Sequence, residues 1–154
     1  MRIRDVEARD FRAWDALWTG YNAFYGREGA TALPDVVTQQ TWARFVDPRE
    51  PMHALVAEAD GALAGLAHIV VHRATSRAAD VCYLQDLFTD PAQRGKGVAR
   101  ALIDAVYERA RELGCCRVYW QTKADNTTAR RLYDKVAEHN GFIVYSHELS
   151  GSKP

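Results

Sequence analysis

The sequence predicts an α/β protein of the mixed α+β kind, one mixed sheet with helices on both faces. Three observations predict it. The order of periodic segments reads strand, two helices, three strands, helix, strand, helix, strand. Asp60-Gly61 between two apolar runs marks a tight antiparallel hairpin. The strand–helix–strand unit from Val81 to Thr122 requires a parallel crossover, expected to be right-handed.

Each element follows from local pattern. Arg2 to Val6 alternates polar and apolar and predicts a first strand. Asp10 is placed to N-cap a helix carrying Phe11, Trp14, Leu17, Trp18, Tyr21, Phe24 and Tyr25 on one broad face, ended by Gly26 and Gly29. Pro34 suits the first turn of a second helix through Val36, Val37, Trp42 and Phe45, closed by Pro48 and Pro51. His53 to Glu58 and Ala62 to Val71 form the hairpin, and Val81 to Thr89 the next strand, stopped by Asp90-Pro91. Val98, Leu102, Ile103, Val106, Ala110 and Leu113 keep a helical period, with Gly114 as C-cap. Cys116 to Thr122 predicts a strand. Asp125 or Asn126 caps a last helix through His139, and Phe142 to Tyr145 begins a last strand continuing to Leu149. Residues 1–149 then form one domain and residues 150–154 a polar tail.

Composition excludes several classes. Twenty Lys and Arg balance twenty Asp and Glu, so no global basic field favours nucleic acid. The odd cysteine count, Cys82, Cys115 and Cys116, argues against a disulfide framework. All three sit in apolar runs and are expected as buried free thiols. No Cys/His cluster has zinc spacing, so no metal is expected. MRIRDVEARD lacks the apolar stretch of a leader, and no run is long enough to span a bilayer. A cytoplasmic protein is the expectation.

The chemistry concentrates at Arg94, Gly95, Lys96, Gly97, Val98, Ala99 and Arg100. Two glycines let the backbone curl tightly at a helix start, where the first N–H groups lack intrahelical partners. Such a turn, with three cations around it, suits a phosphorylated ligand, most simply a pyrophosphate. A Walker loop fails, because Gly97 is followed by Val98 rather than by Lys and Ser or Thr. A Rossmann fingerprint fails at Arg100, where the third glycine would stand. R-x-x-G-x-A, from Arg94 through Gly97 to Ala99, remains beside an ordinary glycine-rich helix cap.

That pattern resembles the acetyl-CoA loop of the GCN5-related N-acetyltransferase (GNAT) family. Three segments carry the resemblance in order: YLQDLFTDPAQRGKGVARAL (Tyr83 to Leu102), GCCRVYWQT (Gly114 to Thr122) and NTTARRLYDKVAEHNGF (Asn126 to Phe142). It covers nearly the whole chain and looks most like the spermidine/spermine and histone/polyamine acetyltransferase branches. The resemblance implies the GNAT acyl-CoA N-acyltransferase fold, with splayed central parallel strands that hold acetyl-CoA as cosubstrate. The backbone of Leu87, Phe88 and Thr89 would meet the pantetheine arm. Gly95, Lys96, Gly97, Val98, Ala99 and Arg100 would hold the pyrophosphate, with Arg94, Lys96 or Arg100 at the ribose phosphate and Asn126 near the next helix start.

The resemblance places Tyr133 at the cofactor sulfur as general acid, where a phenol can protonate the departing thiolate. Tyr21, Tyr25, Gln85 and Trp120 are the candidates for the acceptor pocket, since aromatic rings with polar tips suit an amine. The polyamine branch has a glutamate where this chain has Gln85, and an amide cannot take up a proton at neutral pH. Asp86 is adjacent, but strand alternation turns it to the opposite face unless a bulge re-aims it. Water relayed to Tyr21, Tyr25, His53 or His68 is an alternative. The expected activity is acetyl transfer to a primary amine of a polyamine, diamine or amino-acid-like molecule by direct attack in a ternary complex. Protein or histone lysine acetylation and a non-catalytic CoA-binding sensor are the rivals. A homodimer is expected from the resemblance.

Overall fold

A computed structural model describes residues 1–151. Residues 152–154, the end of the expected polar tail, lie outside the described residues. Contacts divide the chain into two compact units, Met1–Trp120 and a smaller one beginning at Gln121.

The first unit holds a five-stranded sheet in the order β1 (Arg2–Asp5), β2 (Met52–Ala59), β3 (Ala62–His72), β4 (Val81–Thr89) and β5 (Val118–Tyr119). The first four strands pair antiparallel, and β4 with β5 is parallel. This is the predicted mixed sheet. Asp60 and Gly61 turn between β2 and β3 with φ of 52° and 78°, the double left-handed geometry of a tight hairpin.

Three helices of this unit are α1 (Phe11–Phe24), α2 (Asp35–Val46) and α3 (Val98–Glu112). They cover both faces of the sheet, as adjacent residues of β3 demonstrate. Leu66 packs in a cluster with Trp14, Leu17, Trp18, Tyr21, Val56 and Phe88, against which Trp42 and Phe45 of α2 also pack. Gly65, one residue earlier, faces Val98 and Leu102 of α3. Side chains alternate across a strand, so α1 and α2 lie on one face and α3 on the other. A Cβ at Gly65 would lie 2.6 Å from the Phe88 carbonyl oxygen and 2.9 Å from Val98 Cγ1, so only glycine admits this approach.

Asp10 precedes α1 as predicted, but it makes no side-chain cap. Its carboxylate instead accepts from Arg4 at 2.6 and 3.0 Å and from the Glu7 amide at 2.7 Å. A buried carboxylate gains more from a guanidinium than from a helix amide. Among the described residues, only Val118–Tyr119 of the predicted Cys116 to Thr122 strand pairs. Cys115 and Cys116 therefore occupy the turn after α3, half-buried and exposed. Only Cys82 is a buried thiol, and burial pushes its pKa up to about 12.

The second unit contains α4 (Thr127–Val136), shorter than the predicted helix to His139. Asn126 caps it through Oδ1, which accepts from the Ala129 amide at 3.4 Å. The predicted last strand, Phe142 to Leu149, does not form among the described residues. Phe142, Ile143, Val144, Tyr145 and Leu149 are exposed, and no strand pairs with them. β-propensity needs a ladder partner to become structure, and this segment has none there.

Candidate active site

The parallel ladder between β4 and β5 consists of Cys82 with Val118 and Tyr83 with Tyr119, and then it ends. Beyond Tyr83, β4 runs on to Thr89 with the edge that faced β5 unpaired among the described residues. Backbone groups on such an edge need partners. Leu87 is half-buried, whereas Phe88 is buried and meets Tyr21 edge-on, with ring centroids 6.3 Å apart. The Thr89 hydroxyl is buried without a partner among the described residues. An orphaned hydroxyl at the end of an open strand edge is what a ligand lying along that edge would satisfy.

The glycine turn follows. Asp90 caps a single 3₁₀ turn, Pro91–Gln93, and Gly95 and Gly97 then take φ of 75° and 80°. The amides of residues 95–100 donate to no group among the described residues. Ala101 is the first to bond back, to Gly97 O at 3.0 Å. The Val98 side chain is buried and anchors the helix start, while Gly95, Lys96 and Gly97 are exposed and Ala99 is half-buried. Lys96 Nζ donates to Gln93, and Arg100 pairs with Asp104 at 3.1 Å. Both tethers are exposed and worth little, so the cations can still turn to a phosphate. Arg94 lines a cavity of about 350 Å³ with Gly20, Phe24, Phe88 and Asp90. The donor set, open strand edge and orphaned hydroxyl fit a phosphorylated coenzyme with an amide-bearing arm.

The register of β3 on β4 slips by one residue. His68 faces Asp86 and Ile69 faces Leu84, so Gln85 is an extra residue in the strand. This bulge re-aims Asp86, which simple alternation had assigned to the other face. Asp86 now lies with His68 on the α1 side. Trp14 Nε1 donates to His68 Nε2 at 2.9 Å, and His68 Nδ1 meets Asp86 Oδ2 at 2.8 Å. An indole nitrogen only donates, so Nε2 accepts and the ring proton sits on Nδ1, donated to Asp86. His68 is thus a structural histidine with both nitrogens engaged. Burial first, and then the charge of nearby Asp86, holds the Tyr21 pKa far above the usual phenol. His53 is held below the usual imidazole value, first by burial and then by Arg109.

A second cavity, about 410 Å³, opens between α1, α2 and the bulge, lined by Trp18, Asn22, Arg27, His68, Gln85 and Asp86 among others. Of the four expected acceptor-site residues, Gln85 lines it directly. Tyr21 stacks on Trp18, which lines it, with ring centroids 5.4 Å apart, Tyr25 stands beside Tyr21 at 5.0 Å between ring centroids, and Trp120 is half-buried after β5. Sequence pattern does not single out Trp14, Trp18, Asn22 or Arg27 for the site. The aromatic stripe on α1 reads as core, and no local pattern marks Arg27. In the second unit, Tyr133 is half-buried on α4, two turns from Asn126 and so near the same helix face. Asn126 Nδ2 donates to Thr122 at 3.2 Å.

The model of the Acetyltransferase (GNAT) family matches residues 13–137. The chain belongs to this family. It is 37% identical over 145 residues to the D-amino-acid N-acetyltransferase HPA3 of Saccharomyces cerevisiae, covering 93% of this chain and 88% of that protein. A crystal structure of a probable acetyltransferase superposes with a TM-score of 0.83 at 23% identity, covering 99% of this chain and all of the other. The aminoglycoside acetyltransferase AAC(6')-Iy, solved with a bisubstrate analog, gives 0.81 at 20% identity over 96% of this chain and 97% of its own. The GNAT fold read from the sequence is therefore the fold of this chain, and the chain is an acetyltransferase.

Proposed function

We propose that this GNAT protein transfers an acetyl group from acetyl-CoA to the primary amine of a small molecule, with amino acids ahead of polyamines and diamines. The observation that carries this reading is the open edge of β4 running into a glycine turn whose amides lack partners, with the Asp86 cavity alongside. The name of the yeast relative supports placing amino acids first.

Bound acetyl-CoA supplies a thioester: the amine nitrogen forms a bond to its carbonyl carbon, the carbon–sulfur bond breaks, and the sulfur leaves as a thiolate that takes up a proton. The chain's residues serve that exchange. Amides 95–100 bind the pyrophosphate, the backbone of Leu87, Phe88 and Thr89 orients the arm, and Asn126 holds it near α4. Asp86 attracts the ammonium form of the acceptor, and its carboxylate passes the released proton toward solvent through the open cavity. Tyr133 donates the proton to sulfur. Gln85 remains a polar wall without proton-accepting capacity.

Incubating the protein with acetyl-CoA and a panel of amino acids, polyamines and diamines tests the reading. Free thiol should appear with at least one amine, and fastest with amino acids. Tight CoA binding with no thiol release from any amine would replace the enzyme by a CoA-binding sensor. A homodimer belongs to the same proposal, since exposed Phe142, Ile143, Val144 and Tyr145 form an apolar run of the kind a second copy would cover. Sedimentation equilibrium at micromolar concentration should give twice the chain mass.

A further inference from the structure

We propose that the cavity beside the β4 bulge is a receptor for a zwitterion, in which Arg27 takes the carboxylate of the acceptor and Asp86 its ammonium. The assignment rests on the N-acetyltransferase reading and deepens it, because it names the group that would select an amino acid over a polyamine.

Four observations carry it. First, Arg27 and Asp86, of opposite charge, line the same cavity of about 410 Å³. Second, Arg27 is fixed in place: its amide donates to Asn22 O at 2.9 Å and its Nε to Asn22 Oδ1 at 2.6 Å. Asn22 is itself only 4% exposed and donates to Trp18 O at 2.8 Å. The guanidinium carbon lies over Tyr25 at 5.4 Å and Tyr21 at 5.8 Å, which holds the charge against the two rings. Third, no carboxylate among the described residues pairs with Arg27, so its terminal N–H groups are left for a planar anion, which a guanidinium grips in bidentate fashion. Fourth, Trp18, which lines the cavity, holds a buried indole N–H without an acceptor among the described residues. A buried donor left unpaired is costly, and a carboxylate oxygen is the acceptor that would relieve it.

A polyamine brings positive charge to both ends of its chain, and one end would meet the fixed cation of Arg27. A repulsive contact of that kind sorts substrates as strongly as an attractive one. Burial is the largest influence on the Tyr21 phenol, with Asp86 pushing its pKa further up and Arg27 drawing it down. The two groups therefore act on one small volume.

The experiment compares D-alanine with D-alaninamide, which keep the same amine but differ in the carboxylate, using acetyl-CoA and thiol release for the wild type, Arg27→Gln and Arg27→Lys. The wild type should favour D-alanine in kcat/KM. Arg27→Gln should lower kcat/KM for D-alanine about 10- to 100-fold more than for D-alaninamide, the span expected of a charge-assisted hydrogen bond, and Arg27→Lys should restore part of the difference. Equal losses on both compounds, or no loss, would overturn the assignment. If the wild type releases no thiol from any amine, the enzyme reading fails separately. Calorimetric titration of D-alanine then still reads the site: binding weakened at least tenfold by Arg27→Gln upholds it, and absent or unchanged binding overturns it.

Discussion

His68 Nδ1 lies 2.8 Å from Asp86 Oδ2, and the contact exists because β4 carries one extra residue at Gln85. Trp14 completes the chain from the other side of the ring. Trp14→Phe keeps an aromatic ring in place but leaves His68 Nε2 buried without a donor. Stability should fall by about 1–3 kcal/mol, read from urea unfolding. A change below about 0.5 kcal/mol would mean that the indole N–H does not hold the imidazole.

The Arg4–Asp10 pair ties β1 to the start of α1. Arg4, the largest influence, holds the Asp10 carboxyl below the usual carboxylate value in the folded chain. A lowered folded pKa stabilises above the unfolded value near about 3.9, and that stabilisation is lost as pH falls through the folded pKa. The stability gap between the wild type and Asp10→Asn should be full at pH 7 and shrink below pH of about 4. A gap independent of pH would rule out the charge as its source.

Gly65 sits where β3 passes under α3. A methyl group there meets the Phe88 carbonyl oxygen at 2.6 Å, a backbone atom that cannot swing aside. Gly65→Ala should cost about 1–3 kcal/mol. The melting temperature should drop by several degrees, on the order of 2–4 °C per kcal/mol for a chain of this size. Scanning calorimetry that finds no shift would show that the sheet can yield.

Gly97 differs in kind. Its φ is 80° and nothing among the described residues lies within 4 Å of the point where a methyl group would stand, so alanine there meets backbone strain and no clash with them. Left-handed backbone costs an L-residue about 1–2 kcal/mol, and reshaping the turn swings its amides out of line. For Gly97→Ala, CoA affinity measured by calorimetry should weaken roughly tenfold. Unaltered affinity would separate the turn from pyrophosphate binding.

Tyr133→Phe removes one hydroxyl from α4. Loss of a general acid is worth on the order of 10²-fold or more in turnover. CoA affinity should stay within about threefold. A mutant as fast as the wild type would free Tyr133 of the acid role.

The periodicity of the chain determined its elements where burial and turn chemistry are local. Val81–Thr89 and the Asp60-Gly61 turn stand where alternation and φ preference put them. The glycine turn was legible for the same reason, since two residues without Cβ at a helix start dictate its backbone. The cavity beside the bulge was not legible. A bulge shifts every later side chain to the other face, and it follows from how β3 and β4 settle against each other rather than from the composition of either strand. Asp86 therefore joined the site only in three dimensions. So did Arg27, whose position depends on Asn22 and two tyrosine rings. The last apolar run illustrates the reverse: its residues favour a strand, but a strand forms only beside a partner, and Phe142 to Leu149 have none among the described residues.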